Sequence, residues 1–71
     1  MKIHIESTDL ITTLAGVQCR VWQGITEQGV PCKVFVHRVR PDTTEPMALS
    51  QFDAELQEMP SPRGVPLSLI V

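Results

Sequence analysis

Two apolar segments, residues 17–25 and 30–39, constrain the fold of this chain more than any other feature. Both are rich in β-branched residues, which is typical of strands. The spacer Thr26-Glu27-Gln28-Gly29 separates them, and its glycine can supply the positive φ that a tight loop needs. The pattern therefore predicts a central β-hairpin over residues 17–39.

The register of this hairpin decides which side chains share a face. With a four-residue loop, Val21 faces Val34 and the aliphatic side chains form one continuous surface. A one-residue slip would place Val21 opposite Phe35 and mix the two faces. We therefore expect the first register. The predicted cross-strand pairs are Ile25–Val30, Val21–Val34 and Cys19–Val36.

Further elements flank the hairpin. Residues 2–6 alternate strictly between apolar and polar side chains, which predicts a half-buried strand. Residues 10–14 are β-branched and are expected to be extended, although one helical turn capped by Asp9 is an alternative. Residues 65–71 are almost entirely apolar and are predicted to form the last strand.

A helix is predicted over about residues 49–59. Ser50 resembles an N-cap, with Asp53 three residues later, and Pro60 ends the segment. Apolar side chains at helical spacing would pack on the aliphatic face of the sheet. This stripe comprises Leu49, Phe52, Leu56 and Met59.

These elements predict an α+β fold. It has a small, single-layer, mostly antiparallel sheet in β-β-β-α-β order, with the helix packed on one face. Because the helix connects the hairpin to the last strand, a right-handed crossover would place that strand parallel to the first. The predicted strand order is 3-2-1-4.

Length and composition favour one domain over residues 1–71. Of these residues 42% are hydrophobic and 20% are charged, but only Trp22, Phe35 and Phe52 are aromatic. A chain this short buries only about 60% of its unfolded surface, so its aliphatic core is marginal. Dimerisation is one way to gain further burial.

The charge of the chain argues against nucleic acid and membranes as partners. The net charge is −2 and the isoelectric point is about 5.5, so no global basic field is present. The first residues lack the apolar core of a signal peptide, and no apolar run reaches the length of a membrane span. We expect a cytoplasmic protein.

Residues that could support metal binding or catalysis do not fall into a recognisable motif. His4, Cys19, Cys32 and His37 lack the close ligand pairs of structural zinc sites, so no metal or cofactor is expected. In the predicted register the two cysteines lie too far apart for a disulfide. A Cys–His nucleophile would need the slipped register. An enzyme is therefore not expected, and a small enzyme or enzyme subunit stays a second alternative.

The second face of the predicted hairpin is the candidate binding surface. It combines aromatic and basic side chains, which suit contact with another protein or, alternatively, the stacking of nucleic-acid bases on Trp22, Phe35, Arg20 and Lys33. The rings could instead be covered by residues 8–15 or 41–46. The candidate binding residues are Arg20, Trp22, Lys33, Phe35 and His37.

Two stretches carry a resemblance. Residues 21–32 (VWQGITEQGVPC) and 50–56 (SQFDAEL) resemble parts of short bacterial proteins, some of them carried on phages or integrated elements. The resemblance concerns origin alone and supplies no motif that is tied to an activity. An accessory protein of a phage or mobile element, of the inhibitor type, is one concrete form of a small protein-binding module.

Together these observations predict a small module that binds another protein. We also expect a homodimer that pairs through the last strand, because an apolar edge strand without charged residues invites a second chain. The predicted dimer residues are Leu67, Leu69 and Val71.

Overall fold

The computed structural model describes residues 1–70, which form a four-stranded mixed sheet and one α-helix. The α+β class, the element order and the strand order β3-β2-β1-β4 confirm the prediction. The last strand lies parallel to the first, as expected. The elements are β1 (Ile3–Leu14), β2 (Val17–Thr26), β3 (Pro31–Val36), α1 (Pro46–Gln57), β4 (Arg63–Gly64) and a 3₁₀ helix (Leu67–Leu69).

The β1–β2 hairpin joins two segments that the sequence pattern separates. Residues 3–14 form one long strand, which turns back at Ala15-Gly16 so that Leu14 pairs with Val17. Both turn residues have positive φ, 52° for Ala15 and 78° for Gly16. This is the geometry of a two-residue hairpin loop whose twist matches the flanking strands.

Ala15 is an unfavourable residue for this turn, because a Cβ in the left-handed region costs about 1–2 kcal/mol. Asn tolerates that region better, and Asn-Gly is a preferred pair in such loops. Ala15→Asn should therefore raise the free energy of unfolding by about 0.5–1 kcal/mol, as measured by urea denaturation. Gly16→Ala, which places a second Cβ at positive φ, should lower it. A destabilising Ala15→Asn would contradict this turn geometry.

A wide bulge interrupts β1 after Ser7. Three residues, 8–10, oppose Val21 alone. The Thr8 hydroxyl donates to the Val21 carbonyl and accepts from the Leu10 N–H at 3.2 Å. Arg20 Nη1 donates to the Thr8 carbonyl at 2.7 Å and to the Pro60 carbonyl at 3.1 Å. Arg20 therefore ties the bulge to the segment that follows the helix.

The predicted register of the β2–β3 hairpin is wrong by one residue. Val21 pairs with Phe35 and Trp22 pairs with Val34. The loop explains the difference: the Thr26 N–H donates to the Val30 carbonyl at 3.0 Å, and the Val30 N–H donates to Thr26 Oγ1 at 3.1 Å. These bonds place Thr26, rather than Ile25, opposite Val30.

The helix begins earlier than predicted. Its N-cap is Glu45, whose carboxylate accepts from the Met47 N–H at 3.5 Å, and Pro46 opens the first turn. Ser50 lies inside the helix and caps nothing. The predicted stripe does face the sheet, but α1 lies over Trp22 and not over Val21.

The helix packs loosely on the sheet. None of its residues is buried. Phe52, Leu56 and Met59 line a cavity of about 210 Å³ whose other wall includes Ser7 and Trp22. This space lies between the stripe and the centre of the sheet.

The predicted final strand is mostly absent. β4 contains only Arg63 and Gly64, which pair with Leu10 and Ile11, and the Val65 N–H adds one bond to the Ile11 carbonyl at 2.9 Å. Pro66 has no N–H to extend this ladder, and the chain turns into the 3₁₀ helix. Val71 lies outside the described residues.

The accessible surface of this fold is larger than that of a compact protein of the same mass. The accessible surface is 5647 Å², whereas a compact protein of 7.9 kDa should expose about 4,400 Å². The radius of gyration is 13.7 Å, against about 11 Å for a compact chain of this length. Within residues 1–70, only Cys19 and Val21 are buried apolar side chains. The core of the domain is therefore incomplete.

Candidate interaction surface

The observed register sorts the strand residues into two faces, because directly opposed residues of antiparallel strands share a face. We call the face beneath α1 the helix face and the opposite one the open face. The helix face carries Ile3, Ile5, Ser7, Arg20, Trp22, Gly24, Cys32, Val34 and Val36. The open face carries His4, Glu6, Thr12, Cys19, Val21, Gln23, Ile25, Pro31, Lys33 and Phe35.

The five predicted binding residues do not form one surface. Arg20 and Trp22 lie on the helix face, whereas Lys33 and Phe35 lie on the open face. His37 follows β3, and its ring Nδ1 lies 3.0 Å from the Gln18 carbonyl. A base-stacking platform needs its rings on one face, so this arrangement does not provide the platform that the sequence suggested.

Arg20 and Trp22 also have structural surroundings. Arg20 is held by two carbonyl groups, as described above. The Trp22 indole nitrogen is buried and has no hydrogen-bond partner within residues 1–70. Both side chains are partly covered, so neither offers a free binding group.

The remaining predicted residues lie on a polar part of the open face. Lys33 Nζ donates to Gln23 Oε1 at 2.5 Å, and Gln23 Nε2 donates to the Cys32 carbonyl at 3.1 Å. The open face thus has a hydrogen-bonded polar pair beside the half-buried Phe35. This pair leaves Lys33 less free to bind a phosphate.

A different group of side chains is exposed together at the end of the sheet that carries the β2–β3 loop. Pairing of Ile3 with Thr26 and of His4 with Ile25 brings the start of β1 beside the end of β2 and its loop. Ile3 is 39% exposed, Ile25 46% and Val30 57%, and Met1 is fully exposed. We call these four residues the loop-end patch.

Two shallow cavities lie along the loop-end patch. One, of about 250 Å³, is lined by Ile3 and Ile25 together with Lys2 and Glu27. The other, of about 370 Å³, is lined by Met1 and Val30. Lys2 Nζ lies 4.0 Å from Glu27 Oε1, and both side chains are largely exposed, so this ion pair contributes little to stability. An apolar centre with a charged rim is the usual anatomy of a protein interface.

Sequence reasoning missed the loop-end patch because it placed these residues in the core. Ile3 and Ile25 occupy alternating strand positions, and Val30 was expected to pair with Ile25 across the hairpin. The available signal was the crowding of four apolar residues near the hairpin loop and the chain start. Exposure itself depends on where α1 and residues 65–70 pack, which the pattern does not specify.

The residues considered for chemistry are dispersed. Cys19 is buried on the open face and Cys32 is half-buried on the helix face, and both are free thiols. Within residues 1–70, no three His, Cys, Asp or Glu side chains lie close enough together to hold a metal ion. In the same range, no helix combines the length and hydropathy that crossing a bilayer requires.

The predicted dimer residues do not form a strand. Leu67 is half-buried and Leu69 is 76% exposed, and both belong to the 3₁₀ helix. The strand assignment of this segment is therefore wrong for its described part, whereas dimerisation through its side chains stays a prediction. Val71 is outside that part.

Comparison with protein-family models, with curated proteins and with solved structures finds no match to this chain.

Proposed function

We propose that this protein is a small interaction module that binds another protein through the loop-end patch. The observation that carries the proposal is the exposure of Met1, Ile3, Ile25 and Val30 on one end of the sheet. Burial of apolar surface lowers the free energy. A chain that buries few apolar residues on its own therefore gains stability when a partner covers more of them. Ile3 and Ile25 line one cavity at this end, and Met1 and Val30 line another. Clustered apolar exposure is typical of protein-binding surfaces.

The excess surface supports the same proposal. The chain exposes about 1,200 Å² more than a compact protein of its mass. A standard protein interface removes about 800 Å² from each partner. The sheet therefore has enough uncovered surface for a stable complex. An accessory protein of the inhibitor type, encoded on a phage or mobile element, is one concrete form of such an interaction module.

Val30→Lys tests the patch directly. Val30 lies in the loop and is more than half exposed, so the variant should keep the stability of the wild type within about 0.5 kcal/mol. It should weaken partner binding by about tenfold or more, because a lysine cannot be desolvated at the centre of an apolar interface. The measurement is quantitative co-purification of tagged protein from cells of its source, at low and high salt.

Leu69→Lys is the matched control, since Leu69 is at least as exposed but lies outside the loop-end patch. It should capture the same partner as the wild type, and capture should persist at high salt because the contact is apolar. Equal capture by Val30→Lys would contradict the proposal. Capture that is lost with salt or nuclease would favour nucleic acid instead.

A further inference from the structure

We infer that the first half of β1, residues 3–7, is the pairing edge for a second copy of this chain. The two strands would run antiparallel about a two-fold axis at His4 and join two four-stranded sheets into one. This inference goes beyond the proposed function, because it concerns a different partner and the backbone edge of β1, which shares only Ile3 with the loop-end patch. It rests on three observations: the backbone alternation, the lack of protection and the charge pattern.

The backbone alternation shows which groups of β1 are free. The bond between the Thr26 N–H and the Val30 carbonyl directs the even residues of β2 toward β3, so its odd residues face β1. Two side-chain bonds agree: the Val21 carbonyl accepts from Thr8 of β1, and the Gln18 carbonyl meets His37 beyond β3.

Pairs between the odd residues of β2 and the even residues of β1 are therefore the hydrogen-bonded ones. They include Ile25–His4 and Gln23–Glu6. Consequently, Ile3, Ile5 and Ser7 direct their N–H and C=O groups away from the sheet. No backbone group within residues 1–70 bonds to them from that side.

This edge lacks the features that protect the other one. β4 covers β1 only at Leu10 and Ile11. On the outer strand β3, the outward positions include Pro31, which has no N–H, and Lys33. Proline and lysine are residues that native edge strands use against pairing. Residues 3–7 contain neither, and their side chains alternate regularly.

The charge pattern selects a second copy and one register. About His4, Lys2 lies opposite Glu6 of the second copy, and the same pair occurs twice by symmetry. Opposite charges directly opposite each other stabilise a sheet, whereas like charges destabilise it. The register about Glu6 would place Glu6 opposite Glu6, and the register about Ile5 would place Lys2 opposite Thr8. Among these neighbouring registers, only the one about His4 pairs opposite formal charges.

The same register extends the apolar surface of the helix face. Ile3 and Ile5 lie on that face and pack closely against Gly24. A Cβ added to Gly24 would lie 2.9 Å from Ile3 Cγ2 and 3.2 Å from Ile5 Cγ2. Two-fold pairing would set both isoleucines of one copy beside those of the other.

A charge-swap series tests the inference by sedimentation and light scattering at micromolar concentration. The wild type should have twice the mass of the 7.9 kDa chain. Glu6→Lys should raise the dimer dissociation constant by about tenfold or more, because it makes both cross-strand pairs repulsive. The double variant Lys2→Glu with Glu6→Lys should restore the dimer. Both side chains are exposed, so the fold is retained.

Two further variants separate edge pairing from other contacts. Ile5→Pro removes an N–H that does not bond to β2, and should give a folded monomer by circular dichroism. Lys33→Glu, on the protected edge, should leave the dimer unchanged. A wild-type monomer, a dimer that survives Glu6→Lys, or a double variant that stays monomeric would each overturn the inference. Partner capture through Val30 is measured separately, so failure here leaves the proposed function standing.

Discussion

Replacing Trp22 with alanine should lower the free energy of unfolding by about 3–5 kcal/mol. Trp22 lies at the centre of the helix face, opposite Val34 and Ser7, and Phe52 and Leu56 of α1 approach it across the cavity. A domain of this length has a total stability of about 4–10 kcal/mol, so the variant should be largely unfolded or close to it. Thermal and urea denaturation followed by circular dichroism measure the loss.

Trp22→Phe is the matched control for this prediction. It keeps an aromatic ring but removes the buried indole N–H, which has no partner within residues 1–70. Relief of an unsatisfied donor is worth about 1–3 kcal/mol and offsets the smaller ring, so stability should change by less than about 1 kcal/mol. If Trp22→Ala changes stability by no more than Trp22→Phe does, the helix face is not the packed side of the sheet.

The strand order could be predicted because it follows from local signals and chain connectivity. Strict alternation identifies residues 2–6 as a strand, and the glycine at position 29 marks the hairpin loop. A helix between the hairpin and the last strand then demands a crossover, whose handedness is nearly invariant. None of these steps depends on how individual side chains pack.

The register could not be predicted from the hydrophobic pattern. That pattern favours a single aliphatic face with Val21 opposite Val34. The chain instead places the fully buried Val21 opposite Phe35, and the partly covered Trp22 opposite Val34 on the other face. The loop decides the matter through the Thr26 hydroxyl, which accepts from the Val30 N–H. The apolar periodicity carries no information about a hydrogen bond between a side chain and the backbone.

Two capping signals in the sequence compete to start the helix. Ser50 and Asp53 resemble a capping pair, but Glu45 followed by Pro46 is the cap that forms. Proline is well suited to the first helical position because its φ is already helical and its missing N–H is not needed there. The earlier start adds a turn that contains Met47, which is highly exposed.

The candidate surface was the least predictable feature. Ile3, Ile25 and Val30 have the side chains and spacing of core residues, and only the placement of the other elements leaves them in water. The aromatic and basic residues that were predicted to bind lie on two different faces, because the hairpin register is shifted by one residue. A small error in register therefore changes a predicted binding site completely.

Placing a carboxylate at position 21 should be the most damaging single change on the open face. Val21 has no exposed surface and sits in the middle of β2, between Phe35 on one side and the bulge of β1 on the other. Val21→Asp would bury a charge without a partner, which costs about 3–5 kcal/mol or forces local unfolding. Urea denaturation should show that most of the stability of the domain is lost.

Two control variants test whether the loss of stability comes from burial of the charge. Ile25→Asp changes the same strand and the same face four residues further on, where the side chain is exposed, so it should cost only about 1 kcal/mol through the poor strand propensity of aspartate. Val21→Thr keeps the shape of valine but replaces one methyl group with a hydroxyl, and should cost about 1–3 kcal/mol for an unsatisfied buried donor. The expected order of stability is Ile25→Asp, then Val21→Thr, then Val21→Asp. If Val21→Asp is as stable as Ile25→Asp, water reaches position 21, and the open face contributes no part of the core.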